Sequence, residues 1–102
     1  MAVALLKTSQ FLEDYRQIIF GIADVNPDAA DRICDAVENA LTLISRHPQI
    51  APLARFPKVP NVRRWVVRPF NNYLLYYEEQ GEQVVVLRLL HGARLQTSLI
   101  EG

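Results

Sequence analysis

The sequence holds a single cysteine, Cys34. That excludes an internal disulfide framework and any site built on several thiolates, and it fits a reducing compartment. Only two histidines are present, His47 and His91, and their separation argues against a metal pair. No apolar run approaches membrane-spanning length. The start, MAVALLKTSQ, is too short and too lightly charged for a signal peptide, so a cytoplasmic protein with no membrane partner is expected. GxGxxG, P-loop, HExxH and Ser-His-Asp patterns are missing, and with them any cofactor or metal that such motifs would announce. Acidic residues are also absent from one long stretch, Arg55 to Tyr77.

What is present suits one domain. Of 102 residues, 50% are hydrophobic, enough to bury a core without staples, and residues 1–102 are expected to form a single unit. Net charge is zero but unevenly spread. Residues 1–50 carry four basic against seven acidic side chains, a balance of −3, and the remainder is +3. Such asymmetry marks either a solvated face or a surface for nucleic acid or an acidic partner.

The chain is organised around Tyr73 to Arg94. Two runs rich in β-branched and aromatic residues, Tyr73–Tyr77 and Val84–Leu90, flank a polar segment with Gly81 at its tip, which predicts a β-hairpin. Alternation puts Val85, Leu87 and Leu89 on one face of the second run and Val84, Val86 and Leu90 on the other. Both faces are apolar, so this strand belongs inside a sheet. Arg88 falls on the second of those faces, either as an ion-paired residue at a sheet margin or as part of a surface that meets a partner.

Before the hairpin, Val3–Lys7 reads as a short strand, and Thr8 or Ser9 as the cap of a helix over Ser9 to about Ala23, with Phe11, Tyr15, Ile18, Ile19 and Ile22 in one stripe. Glu13 and Asp14 favour its N-terminal dipole. Asn26-Pro27 opens a second helix of about twenty residues, on the order of 30 Å, that closes at His47-Pro48. The two should pack as a hairpin. Gln49–Asn61 is proline-rich and predicts a stiff extended loop, followed by a strand over Arg63–Arg68 with a basic face. The order β-α-α-β-β-β predicts an α+β fold. A small, mostly antiparallel sheet is covered on one face by the N-terminal helical hairpin, and its other face is left for a partner.

Asn26-Pro27-Asp28-Ala29-Ala30, the His47-Pro48 close, the strand Tyr73-Leu74-Leu75-Tyr76-Tyr77 and the final VVVLRLLHGAR together resemble the RelE/ParE superfamily of type II toxin–antitoxin (plasmid stabilisation) toxins. The end of the last strand is similar to the ParE-like branch. The resemblance implies a toxin held inactive in a hetero-oligomer by a cognate antitoxin, which on release arrests growth. ParE-like members poison DNA gyrase; RelE-like members cut mRNA in the ribosome with basic residues that hold the phosphate. On the first reading the protein is not an enzyme, and Arg63, Arg64, Arg68, Arg88 and Arg94 are candidates for contact with target or phosphate. On the second, His91 and Arg94 would be catalytic; a third reading is a degenerate member that only binds its antitoxin. The position six beyond Arg94, where the RelE-like branch places a tyrosine, is Ile100 here, which favours the ParE-like reading.

Overall fold

The computed structural model describes residues 2–70, 72–92 and 99–100. Its order is β1 (Ala4–Lys7), α1 (Ser9–Ala23), α2 (Pro27–Arg46), β2 (Arg63–Val66), β3 (Tyr73–Gln80) and β4 (Gln83–His91). The strands form one sheet in the order β1-β4-β3-β2, with β1 parallel to β4 and the other two pairs antiparallel. This is the expected α+β architecture.

Both helices start where their side chains can satisfy orphan N–H groups. The Thr8 hydroxyl accepts from the Phe11 amide at 3.0 Å, and the Asn26 side chain accepts from Ala29 at 3.1 Å, with Pro27 at the first helical position. Thr8 does more than cap. Its own amide donates to the Val86 carbonyl at 3.1 Å and its hydroxyl to the Leu87 carbonyl at 2.8 Å, so the chain passes from strand into helix while fastened to β4. The helices are pinned to one another by the Tyr15 hydroxyl, 3.2 Å from a Glu38 carboxylate oxygen. Burial, and then the neighbouring Cys34 side chain, raise that phenol's pKa well above its ordinary value.

The helical layer covers one sheet face. Phe11, Ile33, Val37, Leu41 and Ile44 pack there against Leu75, Tyr77, Val84, Val86 and Leu89. Simple alternation would not put Leu89 with Val84 and Val86. A register shift does so: Tyr76 pairs with Arg88 and Tyr77 with Val86, leaving Leu87 as an extra residue. This bulge exchanges the faces of β4 beyond it and corrects the expected grouping.

The opposite face is not left open as expected. The proline-rich segment folds back on itself, with Ala54 donating to Val62 at 2.9 Å and Val59 to Phe56 at 3.2 Å. Phe56 and Val62 are thereby buried against Tyr76 and Leu90, with Leu99 and Ile100 packed alongside. Prolines forbid a regular ladder but not burial of the apolar residues between them, and Phe56, Val59 and Val62 are spaced to line one side of the flap.

Replacement of Thr8 by Ala removes both a helix cap and a tie to β4. It should lower stability by about 1–2 kcal/mol. A fall in the urea midpoint with an unchanged slope would show this; an unchanged midpoint would contradict it.

Candidate functional site

Of the five arginines expected to meet a target or phosphate, the four described, Arg63, Arg64, Arg68 and Arg88, do not converge. Arg63 and Arg64 are neighbours in β2 and so point to opposite faces. Arg63 lies on the helix side, pairing with Tyr77 in the sheet, and donates to the Ala51 carbonyl at 2.7 Å with Glu79 at 3.7 Å. Tyr77 works on the same turn: its hydroxyl donates to the Pro48 carbonyl at 2.8 Å and accepts from the Ala51 amide at 3.3 Å. Burial is the main reason its pKa is raised. Together Arg63 and Tyr77 fix the exit from α2.

Arg88 is also engaged within the fold. Its Nε and Nη2 bind the two Asp14 carboxylate oxygens at 2.7 and 2.9 Å, and Asp14 accepts a third hydrogen bond from the Leu89 amide at 3.1 Å. The two side chains are only 17% and 12% exposed. Arg88 Nη1 adds a bond to the Leu99 carbonyl at 3.2 Å. Hydrogen bonding to the carboxylate raises the Arg88 pKa and holds it charged. Asp14 was expected to serve the α1 dipole, yet it serves the sheet. β1 pairs with β4 only as far as Val86, and beyond that point Thr8 and Asp14 satisfy the edge that a longer strand would have bonded.

Arg64 and Arg68 are exposed. Arg68 lines a shallow groove of about 250 Å³ with Arg32, Asp35, Asn39 and Phe70. Arg64 stands on the flap side, directly across the sheet from Tyr76. Tyr76 is fully buried with its ring 5.8 Å from that of Phe56, and its hydroxyl, beside Arg64, makes no hydrogen bond of normal geometry. Burial raises its pKa, and Arg64 offsets part of the rise.

His91 closes β4 opposite Tyr73, their rings 5.5 Å apart and nearly perpendicular. Tyr73 packs on the helix-side core, so His91 and Arg64 sit on opposite faces of the sheet. Arg94 lies outside the described residues. Among the described residues, no three His, Cys, Asp or Glu side chains gather as a metal ion would require, and no helix is long and apolar enough to cross a membrane.

The family model described as the ParE toxin of the type II toxin–antitoxin system parDE matches residues 5–96. The chain belongs to the ParE toxin family. Solved structures agree in fold. A chain of the chromosomal ParDE system of P. aeruginosa superposes with a TM-score of 0.72 at 15% identity, covering 88% of this chain and 96% of that one. A double mutant of the E. coli toxin RelE in the free state gives 0.65 at 16%, covering 97% and 93%. A conserved hypothetical protein of Helicobacter pylori in solution gives 0.57 at 15%, covering 91% and 98%. Among curated proteins none matches in sequence. Identities this low speak for the ParE fold alone, while the family match makes this a toxin of the type II toxin–antitoxin class.

Arg88→Ala would leave the Asp14 carboxylate buried without its cation. Unfolding free energy should fall by about 3 kcal/mol or more. Chemical denaturation of the purified variant checks this, and a loss well under 1 kcal/mol would mean the pair does not hold α1 to the sheet.

Proposed function

We propose that this ParE-family toxin arrests growth in the cytoplasm by inhibiting DNA gyrase, and that an antitoxin neutralises it in a hetero-oligomeric complex. The observation that carries this reading is the separation of His91 from Arg64 across the sheet, in a chain with Ile100 in place of a tyrosine. General acid–base cleavage of a phosphodiester needs a proton donor or acceptor within hydrogen-bond reach of the group that the arginines hold. Here Arg64 and His91 cannot meet on one phosphate. A toxin that acts by occupying a surface of its target has no such requirement.

In this reading the target contacts come from the exposed Arg64 and Arg68 and from Arg94, while Arg63 and Arg88 brace the fold beneath them. Arg68 stands at the β2–β3 turn, where a bulky partner can reach it.

The test combines purified toxin with gyrase and relaxed plasmid, and in parallel with translating ribosomes. Loss of supercoiling without new mRNA ends is expected, and the Arg68→Ala chain should need several-fold more protein for the same inhibition. New mRNA ends within translated frames would refute the gyrase reading in favour of a ribosome-dependent endonuclease. In that case His91→Ala and Arg94→Ala become the next variants.

A further inference from the structure

Arg68 does not stand alone at the β2–β3 turn. The groove it lines has α2 as its other wall, where Arg32, Asp35 and Asn39 fall three and four residues apart and so share one face of the helix. Phe70, packed in part against the helix-side core, lines the groove from the turn. Folding thus brings a guanidinium from the acidic half of the chain and one from the basic half to the same place.

Arg32 has an acid at hand and does not take it. On α1, Arg16 and Glu13 stand three residues apart and form an ion pair, whereas Arg32 and Asp35 have the same spacing on α2 and do not. The order of the charges is reversed there, and a base preceding the acid is the weaker arrangement on a helix. Among the described residues, the side chains of Arg32, Asp35, Asn39 and Arg68 make no hydrogen bond or ion pair. They differ in this from Arg63 and Arg88, which the fold itself engages.

Two cations lining one groove call for an anion, and Asp35 decides of what kind. A chain of phosphates or a run of acids would set further negative charge against that carboxylate, whereas one carboxylate with an N–H or a cation beside it suits all four groups. That is the chemistry of a protein segment. A lasting partner has a different kind of surface to cover. Leu12 and Phe20, 50% and 59% exposed, line an apolar groove on α1 with Tyr15 and Ile19, and it shares no residue with the groove on α2. Permanent interfaces are the more apolar ones, and matched charge favours rapid encounter and choice of partner.

We propose that the groove between α2 and the β2–β3 turn is where the target docks, with an aspartate or glutamate of the target held by Arg32 and Arg68. Asn39 and Asp35 then meet the polar backbone or a basic side chain next to that acid. This rests on the reading of gyrase as the target.

The test measures inhibition of gyrase supercoiling by the full chain and its variants. Arg32→Ala should need several-fold more protein than the wild type, as Arg68→Ala does. The double variant should need less than the product of the two increases, because the carboxylate loses its seat once either guanidinium is gone. Arg46→Ala removes an equal charge from the other end of α2, where the side chain is also exposed, and should inhibit as the wild type does. Each single variant should melt as the wild type does. Inhibition that survives Arg32→Ala in full, a double variant that reaches the product, an equal loss in Arg46→Ala, or a loss that comes with a lower melting temperature would each overturn the groove as the docking site. Absence of inhibition by the wild type would instead overturn the gyrase reading, and this inference with it.

Discussion

The Asp14–Arg88 pair is the interaction that the layer arrangement depends on. β1 is four residues long, too short to cover the edge of a nine-residue β4. An uncovered edge leaves backbone donors and acceptors unpaired under a helix, where water cannot reach them freely. The chain meets this by ending β1 at Lys7 and starting α1 at once, so that Thr8 and Asp14 take over the edge at Leu87 and Leu89. A carboxylate placed there has to be neutralised, and Arg88 is the residue that can reach it. Measured against a well-packed apolar pair, such a bridge adds little net stability. What it fixes is position, because a bidentate arginine with a third bond to the backbone allows one rotation of α1 over the sheet.

The bulge at Leu87 belongs to the same device. Without the extra residue, Leu89 would face the flap and the helix-side core would lose a fully buried side chain. With it, Val84, Val86 and Leu89 all serve the core under α1 and α2, while Leu90 joins Tyr76 beneath the flap. One inserted residue thus gives β4 two cores to fill. It also explains why a strand with apolar residues at nearly every position is needed here.

Much of this was legible in the sequence. Thr8 and Asn26-Pro27 mark helix starts through capping chemistry that acts within a few residues, and the stripe from Phe11 to Ile22 repeats at the helical period. The bulge was not legible, because alternation detects a face only where polar and apolar residues contrast, and β4 offers almost no contrast. The flap was missed for a different reason. Its prolines speak about hydrogen-bonded ladders and are silent about whether Phe56 and Val62 find a surface to bury against. Asp14 did leave a signal: it falls between Phe11 and Ile18 on the buried side of α1, and Arg88 is the lone charge of an apolar strand. Two opposite charges, each in apolar company, have strong reason to meet. The sequence also offered no means to rank Arg63 against Arg64, since adjacent strand residues share every local property except the face they point to.

That difference of face decides how the basic half of the chain presents itself. Arg63 and Arg88 are drawn in, each beside an acid from elsewhere in the fold, Glu79 and Asp14. Glu79 lies within the basic half itself, but Asp14 comes from the acidic half, so folding spends part of the positive excess on holding the two halves together. Arg64 and Arg68 are left outward, one beside the flap and one at the β2–β3 turn, and His91 stands on the other side of the sheet from Arg64. The superposition with RelE shows that this backbone plan recurs at low identity. A fold shared so widely cannot itself decide between cutting a nucleic acid and gripping a target. The choice rests on which face each side chain takes, and in this chain strand alternation sets Arg64 and His91 on opposite faces of the sheet.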